Sequence, residues 1–185
     1  MSRRLREQGV DPGTVREIHN WSIDENTVPL AAERNPLRSE WGLTDTFVVG
    51  YSGNVGRAHD IDTLIDAAAS LADRDDIRFL IIGGGALYAH AQERVDALNL
   101  DNVVFEPYQP VERLQYSLTL PDVHIISLLP ELEGLIVPSK FYGIAAAGRP
   151  TVFIGSPDGE IAGLLRESLA AAEKSQGEME EQLAH

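Results

Sequence analysis

The residues in this sequence that are best suited to bind and activate a ligand lie in the segment 133–150. Gly134 lets the backbone approach a ligand closely, because glycine has no Cβ atom. Ser139 and Lys140 offer hydrogen-bond donors at the N-terminus of a predicted helix, where an anion is favoured. Glu133 can accept hydrogen bonds from sugar hydroxyl groups, whereas a solvated loop carboxylate is the simpler interpretation of that residue alone. The segment therefore predicts an anion site beside a carboxylate.

A second candidate is the turn Tyr51–Arg57, which follows a predicted strand. Gly53 and Gly56 allow a tight turn and a close backbone approach to a diphosphate group. Arg57 can add a positive charge that pairs with a phosphate oxygen. Two glycines alone are equally consistent with an ordinary connection between a strand and a helix.

Three successive glycines, Gly83–Gly85, follow the next predicted strand. Such glycines also occur in dinucleotide-binding folds. They are the sole basis for one alternative function, that of a nicotinamide-dependent oxidoreductase. A dinucleotide fingerprint belongs in the first strand-to-helix turn, with an acidic residue at the end of the next strand. We therefore interpret the triple glycine as packing or turn geometry at one wall of the site.

The elements that must position these residues alternate along the chain from Phe47 onward. Short apolar runs rich in β-branched residues alternate with segments whose apolar residues recur at helical spacing. The predicted strands are 47–51, 77–82, 103–105, 123–127 and 151–154, and the predicted helices are 61–71, 86–98, 110–118, 139–147 and the segment from 160 onward. This alternation predicts the α/β class, with a Rossmann-like parallel sheet and helices on both faces. Ligands of such sheets lie beyond the carboxyl ends of the strands, where all three candidate segments fall.

The chain of 185 residues is long enough for one well-buried α/β domain. Residues 1–45 are predicted to be an interdomain segment with a strand at 18–21. Residues 46–169 are the predicted ligand-binding domain. Residues 170–185 are rich in Ala and Glu, which predicts a helical or disordered tail.

The amino-acid composition of the chain limits the kinds of ligand and compartment that we expect for it. Lys and Arg number 15 against 29 Asp and Glu, and the resulting net charge of −14 repels a nucleic-acid backbone. A phosphate-bearing ligand is then expected to be a small molecule, held locally by backbone amides and one or two cations. The absence of Cys excludes disulfides and thiolate metal sites and suits a reducing compartment, so we expect a cytoplasmic protein. No apolar run approaches the roughly 20 residues of a membrane-spanning helix.

At the segment 133–150 the chain resembles the GT-B glycosyltransferases of family 4, particularly bacterial surface-polysaccharide transferases. These enzymes show Glu-Gly-Leu-x-Val-Pro-Ser-Lys followed by Ala-Ala-Gly-Arg-Pro, as this sequence does. The resemblance continues through the segments 50–56, 81–85, 102–105 and 158–161. In addition, His19-Asn20-Trp21 resembles the segment that joins the two domains of the family, so the resemblance covers residues 10–165.

The resemblance implies transfer of a sugar, with retention of anomeric configuration, from a UDP- or GDP-linked donor to a glycan or lipid-linked acceptor in polysaccharide biosynthesis. It implies no metal and no cofactor beyond the nucleotide sugar, which binds to the C-terminal half of the GT-B fold. Glu133 and Lys140 match residues that contact the donor sugar and counter the charge of the departing phosphate, so they are the predicted catalytic residues. The matching donor-binding positions are Gly53, Asn54, Gly56, Arg57, Gly134, Leu135 and Ser139, together with Tyr108 and Gln109 in the base-binding turn.

The sequence departs from the family pattern at three positions. Many relatives carry a second Glu, which holds the ribose hydroxyl groups, where this chain has Gly143. In many relatives the diphosphate loop carries an Arg and a Lys at the positions that match Asn54 and His59. Arg57 is a candidate substitute at a different place in that loop. Ribose and diphosphate are therefore expected to be held differently here.

Members of the family also have an N-terminal domain that binds the acceptor, and the sequence before Trp21 is too short to contain one. We therefore expect this domain to be missing from the chain, and the isolated chain to bind the donor without turning it over. The alternative is a non-catalytic module that pairs with a separate acceptor-domain partner. Peripheral contact of the full-length protein with the inner face of a membrane stays open, although Arg3, Arg4 and Arg6 are more simply a solvated helix face.

Overall fold

The computed structural model describes residues 2–16 and 27–183, so the predicted strand at 18–21 and the segment His19-Asn20-Trp21 lie outside the described residues. Its centre is a sheet of five parallel strands in the order β3-β2-β1-β4-β5. The strands are β1 (Phe47–Asn54), β2 (Ile77–Gly84), β3 (Val103–Glu106), β4 (Val123–Ser127) and β5 (Thr151–Ile154). The predicted parallel sheet of the α/β class is confirmed.

Helices precede the sheet and connect its strands. They are α1 (Ser2–Glu7), α2 (Pro36–Glu40), α3 (Asp62–Ser70), α4 (Tyr88–Ala97), α5 (Leu114–Thr119), α6 (Lys140–Ala146) and α7 (Glu160–Leu183). Short 3₁₀ turns occur at Pro12–Thr14, Ala32–Arg34, Val111–Arg113 and Pro130–Leu132. The helix predicted at 110–118 is thus a 3₁₀ turn followed by α5, and α7 runs through the boundary predicted at residue 170. None of the helices in the described residues is long and apolar enough to span a membrane.

The sheet opens at the carboxyl ends of β1 and β4. β1 pairs with β2 over all eight of its residues, whereas it pairs with β4 at two positions, Val49 and Gly50. Beyond Gly50 the ladder between β1 and β4 ends, so these two strands leave space between their carboxyl ends. The strand order also reverses here, because β2 flanks β1 on one side and β4 flanks it on the other. Parallel α/β sheets bind their ligands at such a switch point.

Glycines explain why β1 and β2 run past their predicted ends. β1 continues through Gly53 to Asn54, into the segment where we predicted a tight turn. Gly83 has a φ of 140°, and a Cβ atom at this position would lie 2.1 Å from the carbonyl oxygen of Gly53. Only glycine allows two backbones to approach so closely. The packing interpretation of the triple glycine is therefore confirmed at Gly83.

Apolar side chains pack on both faces of the sheet. One cluster joins β1 and β2 to α3 and α4, and its buried members include Tyr51, Val55, Ile65, Phe79, Ile81 and Val95. A second cluster consists of Leu37, Leu43, Val48, Leu80, Ile82 and Leu120. A third lies around α6 and consists of Leu118, Ile126, Phe141, Ile144, Ala147 and Ile161. The segment that precedes the sheet thus contributes Leu37 and Leu43 to the core.

A buried ion pair also fixes α2 to the sheet. The Arg38 guanidinium donates to the Asp122 carboxylate at 2.5 Å and to the carbonyl oxygen of Leu120 at 2.9 Å. The same carboxylate accepts a hydrogen bond from the Val48 N–H group at 2.7 Å. Because a buried ion pair is tolerated only when its remaining polar atoms are also satisfied, these backbone contacts stabilise the pair. They fix the start of the domain relative to β1 and β4.

Candidate functional site

A cavity of about 780 Å³ lies at the switch point of the sheet, between the carboxyl end of β1 and helices α5 and α6. The predicted site residues that line it are Gly53, Asn54, Tyr108, Gln109, Ser139 and Lys140. The other lining residues are Thr27, Ser52, His59, Ile82, Val111, Leu114, Ser117, Leu118, Ile136, Val137, Pro138 and Gly143. Within the described part of the chain no acidic side chain lines the cavity, although the sequence has 29 Asp and Glu residues. The described lining therefore carries no negative side chain that would repel an anion at short range.

The Lys140 side chain places a cation at the β1 end of this cavity. Its Nζ atom is buried and has no hydrogen-bond partner among the residues that the structure describes. It lies 3.7 Å from the centre of the Tyr51 ring, and a Cβ atom on Gly53 would lie 3.7 Å from it. Burial lowers the pKa of Lys140 to about 7. A buried ammonium group without an acidic partner is costly, so an anionic ligand gains most at this point.

His59 and Ser52 line the polar end of the cavity, and Ser127 contacts His59 without lining the cavity itself. The Nδ1 atom of His59 lies 2.6 Å from the carbonyl oxygen of Ser127, so Nδ1 carries the proton of the neutral ring. Burial is the main cause that lowers the pKa of His59, and the charge of Lys140 lowers it further. The hydroxyl groups of Ser52 and Ser127 are buried without a hydrogen-bond partner in the described residues. His59 was not among the predicted site residues. Its match to the Lys of the family's diphosphate loop is the sequence signal that indicates its place in the site.

The opposite end of the cavity is apolar. Its wall consists of Val111, Leu114, Leu118, Ile136 and Val137. The Tyr108 ring is 59% exposed beside this wall, and its hydroxyl group donates to the carbonyl oxygen of Gly84 at 3.3 Å. The Gln109 amide donates to the carbonyl oxygen of Pro107 at 2.9 Å. A planar group that enters this end can therefore stack on an aromatic face.

Glu133, Gly134 and Leu135 do not line the cavity in this structure. The Oε1 atom of Glu133 accepts a hydrogen bond from the Glu160 N–H group at 3.2 Å, at the start of α7. A Cβ atom on Gly159 would lie 2.3 Å from Oε2 of Glu133, so the glycine makes room for the carboxylate. Gly134 has a φ of 77°, and Leu135 is exposed. Their contacts with the donor stay predictions.

Gly56 and Arg57 lie in the segment after β1, and neither lines the larger cavity. Arg57 lines a separate, smaller cavity of about 390 Å³ together with Asp60, Asp62 and Leu87. His59 is the residue that lines both cavities. Gly56 packs against the side chain of Asn54, because a Cβ atom there would lie 2.7 Å from Nδ2. The structure thus brings His59, and not Arg57, to the same cavity as Lys140.

Gly143 lies one turn into α6 and faces the cavity. A Cβ atom at this position would meet a single neighbour, Cδ1 of Leu118 at 3.4 Å. The cavity therefore has room beside Gly143 for a larger side chain or for part of a ligand. Helix α6 begins at Lys140, so Ser139 precedes it as the capping residue, and its side chain makes no capping hydrogen bond.

Arg149 fixes the described segment that leads into the domain. Its guanidinium donates to the carbonyl oxygen of Leu30 at 2.6 Å and to that of Thr119 at 2.5 Å. A Cβ atom on Gly148 would lie 2.9 Å from Cγ of Pro29, so this segment packs tightly on the turn after α6. Thr27, three residues before Leu30, is buried and lines the cavity. The Gly-Arg-Pro part of the sequence motif therefore contacts the segment that bears Thr27, without lining the cavity itself.

Comparison with known protein families identifies the class. The family model described as "Glycosyl transferases group 1" matches residues 33–137, which is more than half of the chain. The chain therefore belongs to the group 1 glycosyltransferase family. The matched range contains the whole of β1 to β4 and reaches Val137 at the edge of the cavity.

Two curated relatives agree with this membership. The chain is 26% identical over 170 residues to the probable glycosyltransferase WbjE of Pseudomonas aeruginosa, covering 91% of this chain and 42% of WbjE. It is 29% identical over 150 residues to the putative colanic acid biosynthesis glycosyl transferase WcaI of Escherichia coli (strain K12), covering 80% of this chain and 37% of WcaI. The chain thus spans about two fifths of the length of these relatives.

Solved structures confirm the fold. The chain superposes on Anabaena Alr3699/HepE, solved in complex with UDP-glucose, with a TM-score of 0.67 at 18% sequence identity. The superposition covers 95% of this chain and 52% of HepE. The resemblance to the GT-B glycosyltransferases is therefore confirmed for the fold.

Proposed function

We propose that this chain is the donor-binding part of a retaining glycosyltransferase. The donor is a UDP- or GDP-linked sugar, and the acceptor is a glycan or a lipid-linked glycan. One observation carries the proposal: the buried Lys140 ammonium faces a cavity that no acidic side chain lines among the described residues. In a protein with a net charge of −14, such a place is the one suited to a small anion.

The diphosphate is assigned to the polar end of the cavity. There the Lys140 ammonium lies beside Gly53, where the absence of a side chain leaves the backbone accessible. Ser52 and His59 supply further polar atoms, and the Ser52 hydroxyl group is buried without a partner in the described residues. A phosphate oxygen that accepts hydrogen bonds from the Lys140 ammonium and the Ser52 hydroxyl group would remove the cost of burying them unpaired.

The base is assigned to the apolar end. The exposed Tyr108 ring offers a stacking surface next to the apolar wall, as the match to the base-binding turn implies. The ribose then lies between the two ends, beside Gly143. Because Gly143 offers no hydrogen-bond acceptor in its side chain, the ribose hydroxyl groups are held weakly or by backbone groups.

The catalytic contribution of the chain is electrostatic. When the bond between the anomeric carbon and the diphosphate breaks, negative charge accumulates on the departing oxygen. The positive charge of Lys140 stabilises that oxygen, and burial of the Nζ atom strengthens the interaction. Glu133 is proposed to accept hydrogen bonds from the sugar hydroxyl groups once the donor is bound. The acceptor hydroxyl is oriented by a separate domain, so the transfer itself belongs to the whole protein.

The relatives support this assignment. WbjE and WcaI are both named as glycosyltransferases, WcaI in colanic acid biosynthesis, and HepE was solved with UDP-glucose. Polysaccharide synthesis is therefore the process that we propose for the protein to which this chain corresponds.

Calorimetric titration of the chain with UDP, GDP and ADP tests the proposal. We expect one of the first two to bind with the highest affinity, and Lys140→Met to weaken that binding at least about tenfold, as loss of a charge-assisted contact does. Lys174→Met is a matched control, because it removes the other lysine of the sequence. If none of the three nucleotides binds at millimolar concentration, the proposal is wrong.

A further inference from the structure

The ring of Tyr51 contacts both basic side chains of the polar end. Tyr51 is on β1 and is 1% exposed. The Nζ atom of Lys140 lies 3.7 Å from the centre of its ring, and the His59 ring meets it edge to face, with 6.1 Å between ring centres and an angle of 74°. The Tyr51 hydroxyl group donates to the carbonyl oxygen of Asn54 at 2.9 Å, so the same side chain also holds the start of the diphosphate loop.

One tyrosine and two histidines surround Lys140, and none of the carboxylates in the described residues pairs with it. Tyr51 approaches it from β1, His59 from the loop after β1, and the buried His124 from β4. Burial is the main cause that lowers the pKa of both histidines, and the charge of Lys140 lowers it further. Both histidines are therefore kept neutral by burial and by this charge. In the described residues, Lys140 forms no salt bridge and no hydrogen bond through Nζ.

An aromatic face and a carboxylate hold an ammonium group in different ways. A carboxylate neutralises the charge, and an incoming phosphate would have to displace it. A ring face attracts the cation through its quadrupole and leaves the N–H groups on the other side free to donate. A lysine held on a ring is therefore fixed in position while its N–H groups stay available to a ligand.

We propose that Tyr51 is a positioning residue for the donor diphosphate. The face of its ring holds the Lys140 ammonium beside Gly53. The proposal rests on the proposed function, because it explains how the Lys140 ammonium is oriented toward the diphosphate of the bound nucleotide. Tyr51 acts through Lys140 and makes no contact with the reacting atoms.

The position of the ammonium can be measured without a nucleotide. The sequence has two lysines, Lys140 and Lys174, so a sample labelled with ¹³C at the lysine ε-carbon gives two signals, which Lys174→Arg assigns. The Tyr51 ring should shift the Lys140 ε-protons upfield, because they lie over its face. We expect this shift in the wild-type chain and in Tyr51→Phe, and its loss in Tyr51→Leu. If the wild-type signal shows no upfield shift, the proposal is overturned without any variant.

Nucleotide titrations of the same samples test the consequence for binding. Tyr51→Leu should weaken binding on the order of tenfold, as loss of a buried cation–π contact predicts, whereas Tyr51→Phe should stay within about threefold of the wild type. Tyr88→Leu is a matched control: Tyr88 packs edge to face on Phe105, with 5.4 Å between ring centres, and does not line the cavity. It should bind as the wild type does.

Two results would overturn the proposal while the proposed function stands. In one, Tyr51→Leu binds the nucleotide as tightly as the wild type; in the other, Tyr51→Phe loses as much affinity as Tyr51→Leu, which would assign the effect to the hydroxyl group. Tyr51→Met, which is unbranched and fills similar space, replaces Tyr51→Leu if circular dichroism shows the latter to be unfolded. If the wild-type chain binds no nucleotide, the proposed function is wrong. The shift of the ε-protons then still shows whether the Tyr51 ring holds the Lys140 ammonium.

Discussion

The carboxylate of Glu133 and the backbone N–H group of Glu160 are 3.2 Å apart and form a hydrogen bond. This contact links the loop that bears the predicted sugar-binding carboxylate to the first residue of α7. The same oxygen atoms are the ones expected to accept hydrogen bonds from the donor sugar. Glu133 therefore has a structural role in the free protein and a proposed role in donor binding, and substitutions can separate the two.

Glu133→Ala should lower the free energy of unfolding by about 1 kcal/mol, because it removes a capping acceptor at the N-terminus of α7. Glu133→Gln keeps an oxygen acceptor and should lose less. Urea denaturation of the three proteins measures the difference. Both variants should bind UDP or GDP as the wild type does but bind the matching nucleotide sugar more weakly. An equal loss of affinity for the nucleotide and the nucleotide sugar would place Glu133 away from the sugar.

Lys140→Met should stabilise the free chain while it weakens nucleotide binding. Burial lowers the pKa of Lys140 to about 7 from its usual 10.5, so the unfolded chain binds the extra proton between these two values. Stability therefore rises with pH across this window through Lys140, and the cost of burying the charge is present in full below pH 7. We expect Lys140→Met to gain about 1 to 3 kcal/mol near pH 6 and less near pH 9.

The measurement is urea denaturation of both proteins at these two pH values. Comparing the variant with the wild type at each pH isolates the contribution of Lys140 from those of the other titrating groups. Lys174→Met again serves as the control and should leave the pH dependence unchanged. A loss of stability in Lys140→Met at the lower pH would mean that the ammonium is satisfied in the free chain.

Gly143→Glu should tighten nucleotide binding by about fivefold, because it returns a carboxylate to the place where many relatives hold the ribose hydroxyl groups. The space for this side chain exists, since a Cβ atom would meet Leu118 alone, at 3.4 Å. Gly143→Ala is the control, because it adds the Cβ atom without the acceptor. Titration with UDP and with 2′-deoxy-UDP measures the effect. An equal gain for both nucleotides would show that the new carboxylate does not contact the 2′-hydroxyl group.

Gly83→Ala should destabilise the chain by at least about 2 kcal/mol, because the new Cβ atom would lie 2.1 Å from the carbonyl oxygen of Gly53 and φ is 140°. Gly163→Ala, inside α7, meets nothing within 4 Å and should stabilise by up to about 1 kcal/mol. Thermal denaturation of the two variants gives both values. If Gly83→Ala unfolds with the same midpoint as the wild type, the ends of β1 and β2 are less closely packed than the 2.1 Å distance implies.

Local patterns predicted most elements but not the ends of the central strands. The strands at 123–127 and 151–154 match β4 and β5 in full, because apolar runs with β-branched residues mark them unambiguously. The ends of β1 and β2 were missed because glycine has a low intrinsic strand preference. Pairing between Gly53 and Gly83, which are 30 residues apart in the sequence, overrides that preference.

The site was predictable where the sequence motif and the strand ends coincide. Lys140 and Ser139 lie in the cavity together with Gly53, as the position of strand ends in a parallel sheet implies. The direction of the Glu133 side chain was not predictable, since it depends on the packing of α7 against a distant loop. The exchange of Arg57 for His59 was missed for a similar reason: both residues line the smaller cavity, and the folded path of the loop brings only His59 to the larger one as well.

The continuous pairing of β1 with β2 has a consequence for the entropy of ligand binding. Because Gly53 and Asn54 belong to an eight-residue ladder, their backbone freedom is already lost when the chain folds. A nucleotide that binds there then needs to immobilise few side chains and no part of this backbone. Binding should therefore carry a smaller entropic cost than it would at a loop that becomes ordered only around its ligand.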